Sequence, residues 1–254
     1  MIDIHSHILP SVDDGAVTLE DSTNMARLAV EEGITKIIAT PHHQNGVFLN
    51  KKQDILKSVT DLNHVLRNEN IPLEVLPGQE TRIYGELLED FEKGDILTLN
   101  YTNYLFIELP SGYVPRYTEQ LLFDLQLKGL TPIIVHPERN AGFMEDPGKL
   151  FNLVKKGTLT QITTSSLTGH FGKKIQKFSM QLIEASLAHF IASDAHNTST
   201  RSFRIKESIT ELDKMFGSQA IFYFQENANL LMKDQVIYRQ EPSPIKRRKF
   251  LGIF

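Results

Sequence analysis

His5 and His7 stand two residues apart in the opening segment Ile2-Asp3-Ile4-His5-Ser6-His7. On an extended chain that spacing puts both rings on one side, where they can share a cation. Asp194 and His196 repeat the spacing late in the chain, in Ser193-Asp194-Ala195-His196. Other groups able to bind metal recur between them: Asp14 after Asp13, His42 in Pro41-His42-His43, Glu80 in Pro77-Gly78-Gln79-Glu80, Glu108 in Ile107-Glu108-Leu109-Pro110, and His136 in His136-Pro137-Glu138-Arg139. Each has an ordinary explanation when taken alone. An isolated His-x-His or Asp-x-His is more often a turn or capping pair, and an isolated Glu a helix cap or an ion-pair partner. Together they make five imidazoles and four carboxylates, too many for one ion. Carboxylates crowded away from water repel unless cations neutralise them. The set predicts two or three ions, and mixed nitrogen and oxygen donors suit Mn²⁺, Fe²⁺ or Zn²⁺ without choosing among them. Three dications carry +6 against -4 from the carboxylates, so such a site keeps +2 and attracts a phosphate dianion.

The composition narrows the chemistry further. The sequence has no cysteine, which excludes thiolate zinc sites and a cysteine nucleophile. A net charge of -4 does not supply the positive field of a general nucleic-acid binder. No apolar run reaches the ~20 residues that span a bilayer, and the N-terminus lacks the basic-then-apolar order of a signal peptide. The chain reads as cytoplasmic. With 254 residues, 41% of them hydrophobic, it has enough apolar surface for a sizeable core.

The elements that must carry these groups follow a βα rhythm: a short apolar run, a polar turn, then an amphipathic stretch ending near Gly. Strands are predicted at Ile2 to His5, Lys36 to Thr40, Leu73 to Leu76, Tyr104 to Ile107, Pro132 to Val135, Leu159 to Thr163 and His189 to Ala192. Thr18 and Asp21 form a capping-box pattern that starts the first helix, which runs through Met25, Leu28 and Ala29 to Gly33. Ile55, Val59, Leu62 and Leu66 mark the apolar face of a second helix. Further helices are expected near 85–91, 117–128, 147–156, 173–188 and 202–216. About seven βα units result, close to the eight of a TIM barrel, and in such folds active sites gather at the C-terminal strand ends. Six of the strands end in the candidate ligands named above. One domain is expected over 1–239, with a tail over 240–254 in which Glu241-Pro242-Ser243-Pro244 precedes the basic run Lys246-Arg247-Arg248-Lys249. A solvated basic end is favoured for that tail over an anionic membrane or partner contact.

In this order, the motifs resemble the PHP (polymerase and histidinol phosphatase) superfamily. Within it they resemble the manganese-dependent tyrosine phosphatases of Gram-positive capsule and exopolysaccharide operons, bacillar members included. Met1 to Pro10, Ala39-Thr40-Pro41-His42-His43, Leu76 to Glu80, His136 to Arg139 and Ala192 to Asn197 carry the resemblance, which covers nearly the whole chain. It implies a distorted (β/α)7 barrel and a trinuclear site. In that site His5, His7, Glu80 and Asp194 hold one ion, Glu80, Glu108 and His136 a second, and Asp14, His42 and His196 a third, with Glu80 bridging. It further implies that Arg139 and Arg201 bind the substrate phosphate, and that the substrate is a phosphorylated bacterial tyrosine kinase of the polysaccharide export system.

The chemistry of the residues agrees with that assignment. A hydroxide bridging two ions can form near neutral pH and attack phosphorus in line with the leaving oxygen. Guanidinium forks suit the phosphoryl oxygens. A phenol leaving group has a pKa of about 10, so the lack of an obvious general acid is tolerable. Arg204 is read as a surface ion pair, and His43, His64, His170 and His189 as structural, with His43 a candidate for the rim. The loop from Tyr113 to Tyr117 is a candidate for the substrate entrance. Two other readings compete: hydrolysis of a phosphodiester or small-molecule phosphate, and a non-catalytic metal-binding adaptor that docks on a kinase tail. A structural metal site would be closed, whereas this set needs open positions for water.

Overall fold

The computed structural model describes residues 1–245. Within them the strands run parallel, in two sheets. β1 (Ile2–Ser6), β2 (Lys36–Ala39) and β4 (Glu74–Pro77) pair in the order β1-β2-β4. β3 (His42–His43), β5 (Glu80–Arg82), β6 (Tyr104–Glu108), β7 (Thr131–Val135), β8 (Leu159–Thr163) and β9 (Phe190–Ala192) form the second sheet in sequence order. Seven strands were expected and nine occur, because two are interrupted. Thr40-Pro41 separates β2 from β3, and Gly78-Gln79 separates β4 from β5. Side chains stand in for the ladder at these breaks: the Ser6 N–H donates to Thr40 Oγ1 (3.2 Å), the Leu97 N–H donates to Gln79 Oε1 (3.0 Å), and Gln79 Nε2 donates to the Asn50 carbonyl (2.7 Å). Both interrupted strands therefore start in the first sheet and end in the second, delivering His42 and Glu80 at their far ends.

The end of β9 approaches the end of β1 through Ser6 bridging Ala195, with Asp194 N–H donating to the His5 carbonyl (2.9 Å) and His7 N–H to the Ala195 carbonyl (2.8 Å). Asp3, fully buried, accepts at Oδ1 from the Ser193 N–H (2.9 Å) and so braces the same junction. The sheet is apolar on both faces, as parallel strands require. Leu105, Ile107, Ile134 and Ile162 pack outward with Leu122 and Leu125 of α4 (Thr118–Leu127), Leu150 and Leu153 of α6 (Pro147–Lys155), and Leu182 of α8 (Lys173–Glu184). Ile4, Ile38, Phe106, Ile133, Val135, Leu159 and Phe190 form a second cluster on the opposite face.

The expected helix signals hold. Thr18 caps α1 (Leu19–Glu31) with Asp21 completing the box, and Ile55, Val59, Leu62 and Leu66 are the buried residues of α2 (Lys52–Asn68). The expected short helix is α3 (Leu87–Lys93), the expected 202–216 helix is α9 (Ile205–Phe216), and α5 (Ala141–Glu145) and α7 (Thr164–Leu167) add short turns. One long helix was not expected. α10 (Ser218–Met232) packs on β1 and β9, where Asn227 Nδ2 donates to the His189 carbonyl (3.0 Å). Its apolar residues are spread around the cylinder, which blurs the 3.6-residue signal. Beyond it, residues of the expected tail lie against the end of α8, with Ser243 N–H donating to the Ala185 carbonyl (2.9 Å). The basic run from Lys246 lies outside the described residues. Among those that are described, no helix is long and apolar enough to cross a membrane.

The break at Gly78 leaves no room for a side chain, since a Cβ there would meet Ile38 Cγ2 at 2.6 Å and Leu99 Cδ2 at 3.1 Å. Gly78→Ala is expected to cost about 1–3 kcal/mol through overpacking and to displace Glu80, two residues on. Urea denaturation checks this, and an unchanged midpoint would refute it.

Candidate metal centre

All nine candidate ligands converge at the C-terminal strand ends, and the tightest group is buried beneath the rest. His5 Nε2 lies 3.4 Å from both Glu80 Oε2 and Asp194 Oδ1, while His7 Nε2 lies 3.2 Å and 3.3 Å from the same two oxygens. The two Nε2 atoms are 3.3 Å apart. The far nitrogen of each ring is committed. His5 Nδ1–H donates to Gln161 Oε1 (2.9 Å) and His7 Nδ1–H to Asp13 Oδ2 (2.7 Å), which turns each Nε2 toward the shared centre. Glu80 Oε2 and Asp194 Oδ1 face that centre without a hydrogen-bond donor, although both are fully buried. Each Nε2 thus stands 3.2 to 3.4 Å from both carboxylate oxygens, and four donor atoms gathered so closely, all of them buried, have the spacing of a cation's ligands.

Two further donor sets overlap the first. His7, Asp14, His42 and His196 form one, and His42, Glu80 and Glu108 the other. His196 Nδ1–H donates to the Asp194 carbonyl (2.9 Å), leaving Nε2 3.3 Å from Asp14 Oδ1. His42 spans both sets, with Nε2 3.4 Å from Asp14 Oδ1 and Nδ1 2.9 Å from Glu80 Oε2. His136 Nε2 reaches the other Glu80 oxygen, Oε1, at 2.7 Å. The expected membership thus shifts in detail: His7 belongs to two sets and His42 to two, while Glu80 touches His5, His7, His42 and His136.

The electrostatics of the cluster are those of negative charge in need of neutralising. Burial, aided by the Glu80 carboxylate, pushes the Glu108 carboxyl up to about 7. His42 is raised to about 10: burial opposes this, and the Glu80 and Asp14 carboxylates prevail. His136 and His196 are each lowered to about 4, first by burial and then by a neighbouring cation, Arg139 for His136 and the His7 ring for His196. Those two rings therefore present neutral imidazole, the form that ligates metal.

Arginines surround the cluster. Arg139 Nη2 lies 2.7 Å from Asp194 Oδ2, and its guanidinium sits over the Phe171 ring at 5.3 Å. Arg201 reaches Asp14 Oδ2 (3.2 Å) and Asp194 Oδ2 (3.4 Å). A cavity of about 310 Å³ opens here, lined among others by Glu108, Leu109, His136, Arg139, Phe143 and Arg201. Arg82, which the strand-end reading passed over, also belongs, with Nε 3.2 Å from Glu108 Oε2. Asp13 and Gln161 were missed as orienting groups. Asp13 had a signal, adjacency to Asp14, whereas Gln161 in mid-strand had none. Arg204 pairs with Glu207 near the surface, as expected, and His43, His64, His170 and His189 stay out of the cluster. The Tyr113 carbonyl is tied to Asn140 Nδ2 (3.2 Å), so the tyrosine loop adjoins the cavity wall.

Residues 1–233 match the family described as capsular polysaccharide synthesis, CpsB/CapC. The chain belongs to this family. It is 54% identical over 254 residues, the whole of both chains, to the tyrosine-protein phosphatase YwqE of Bacillus subtilis (strain 168). To CapC of Staphylococcus aureus it is 38% identical over 257 residues, again the whole of both chains. A structure reported among those of YwqE from Bacillus subtilis and CpsB from Streptococcus pneumoniae, described as unique metal-dependent tyrosine phosphatases, matches with a TM-score of 0.95 at 54% identity. The match covers 97% of this chain and 100% of the other.

In this CpsB/CapC chain Asp13 does three things: besides holding His7, it accepts from the His42 N–H (3.1 Å) and the Gly15 N–H (2.9 Å). Asp13→Ala is expected to weaken divalent-metal affinity about 10- to 100-fold, the usual cost of losing a ligand-orienting partner, while the chain stays folded. Metal titration by calorimetry measures it, and wild-type affinity in the variant would remove Asp13 from the support of the site.

Proposed function

We propose that this chain hydrolyses phosphotyrosine on proteins with divalent cations held in the His/Asp/Glu cluster. It is an enzyme, a metal-dependent tyrosine phosphatase of a capsular polysaccharide synthesis family. The observation that carries the reading is the convergence of buried side-chain donor atoms from His5, His7, Glu80 and Asp194 on one point, the two carboxylate oxygens without a hydrogen-bond partner, beside two guanidiniums and in a chain without cysteine.

His5, His7, Glu80 and Asp194 would hold one ion; Glu80 and Glu108 a second, with His136 and His42 adjoining; and Asp14, His42 and His196 a third. Mn²⁺ is the preferred metal, with Fe²⁺ and Zn²⁺ as alternatives. Such ions acidify water to a nucleophile near neutral pH and offset charge on the phosphoryl group. The chain's own part is to place the substrate. Arg139 and Arg201 offer forked donors to the phosphoryl oxygens. Their present partners, Asp194 and Asp14, hold them at the edge of the cluster. The leaving phenolate has a pKa of about 10 and departs without a dedicated acid. Leu109 lines the cavity as an apolar side chain beside Arg139 and Arg201. We further assign the substrate to a cytoplasmic bacterial tyrosine kinase of polysaccharide export, the strands to a distorted (β/α)7 barrel closed between β9 and β1, and the chain to one domain over 1–239 with a basic tail over 240–254.

Two outcomes test the reading. A strong chelator is expected to abolish turnover of a phosphotyrosine peptide, added Mn²⁺ to restore it, and iodoacetamide to leave it untouched; activity that survives chelation would overturn the metal route. Arg139→Ala is expected to keep its metal content and fold while kcat/KM falls about a hundredfold, or about 2–4 kcal/mol, the loss typical of removing one preorganised donor. Kinetics and metal analysis on the same preparation decide it, unchanged kcat/KM marking Arg139 as an ion-pair partner only.

A further inference from the structure

Arg139 ends the short 3-10 turn Pro137–Arg139, whose other charged residue, Glu138, points away from the cavity into the fold. Glu138 is fully buried, yet it is no candidate ligand and lies in none of the donor sets. Its Oε1 accepts from the Thr163 N–H (3.0 Å) at the end of β8 and from Ser166 Oγ (2.6 Å) in α7. These two bonds run from the turn to the neighbouring strand and helix. His136 has its own anchor to β8, its N–H donating to the Gln161 carbonyl (2.8 Å). The Arg139 N–H, by contrast, is bonded only within the turn, to the His136 carbonyl (3.0 Å). The backbone at His136 has φ of 36°, in the left-handed region that costs a non-glycine residue energy and is held only when the surroundings over-determine it.

We infer that Glu138 is a positioning residue for Arg139: its buried carboxylate locks the turn to Thr163 and Ser166 and so fixes where the guanidinium stands. The inference rests on Arg139 holding the substrate phosphate. A buried carboxylate with two donors is worth keeping in place only if the turn must not move, and the group the turn aims into the cavity is Arg139.

The test is a double-mutant cycle on the metal-loaded, full-length enzyme, with a phosphotyrosine peptide as substrate and vanadate as the phosphate probe. Glu138→Ala is expected to retain wild-type metal content, to lose at least tenfold in kcat/KM and to bind vanadate more weakly. Glu138→Gln, whose amide oxygen can still accept both bonds, is expected to recover most of that loss. Ser166→Ala, which removes one donor and no charge, is expected to shift both readouts the same way by less, and it carries the test if Glu138→Ala does not fold. Combined with Arg139→Ala, either substitution is expected to add no further loss, because its effect passes through the guanidinium. Lowered thermal stability with unchanged kcat/KM and vanadate binding would leave Glu138 structural. Lost metal, or a full additional loss in the Arg139→Ala background, would place its action elsewhere and overturn the inference. If Arg139→Ala itself leaves kcat/KM unchanged, the phosphate assignment fails instead, a result the single mutant distinguishes.

Discussion

Asp13, Asp14, Glu80, Glu108 and Asp194 bring five carboxylates to one end of the strands, and Glu80 and Asp194 are shut away from water altogether. Like charges at such separations in a low-dielectric setting repel strongly, and much of the surrounding architecture can be understood as managing that repulsion. Arg82, Arg139 and Arg201 neutralise the outer oxygens. The inner oxygens, Glu80 Oε2 and Asp194 Oδ1, face the Nε2 atoms of His5 and His7, whose Nδ1–H groups are committed to Gln161 and Asp13. Divalent cations satisfy that arrangement, since they stabilise carboxylates and neutral imidazoles together.

The arrangement imposes a cost on the backbone. Asp194 has φ of 52° and His136 φ of 36°, both in a region that L-residues adopt at the expense of about 1–3 kcal/mol each. Both lie just past a strand end, where the chain must turn a side chain toward the shared centre. The compensation is local and heavily hydrogen-bonded: Ser193 on Asp3 beside Asp194, and the 136–139 turn on Thr163 and Ser166 beside His136. The same logic explains the interrupted strands. Pro41 has no N–H for a ladder, and the Gly78-Gln79 pair bends a strand so that Glu80 can pass from one sheet to the other. The apolar clusters on both faces are the rigid frame against which these turns are held.

Much of this was legible in the sequence alone. Periodicity located the first helix and its capping box, the apolar face of the second, and the expected strands to within a residue or two, because each signal is local: a cap, a stripe or an apolar run decides it. The recurrence of imidazoles and carboxylates at strand ends was equally legible, since it needs only the order of residue types after each apolar run. What the tertiary structure alone decided is which atoms meet. His7 serving two donor sets, Glu80 touching four histidines, Arg82 lying on Glu108, Gln161 bonding His5 and Glu138 bonding Ser166 all depend on contacts that separate elements make across the fold, His5 and Gln161 standing 156 positions apart along the chain. α10 escaped notice because apolar residues such as the exposed Phe222 stand outside its buried face of Phe224, Asn227, Ala228 and Leu231, which blurs the periodicity that would reveal it. Sequence spacing reports which way side chains point along one element, whereas the packing of separate elements sets the distances between them, and a metal centre is made of those distances.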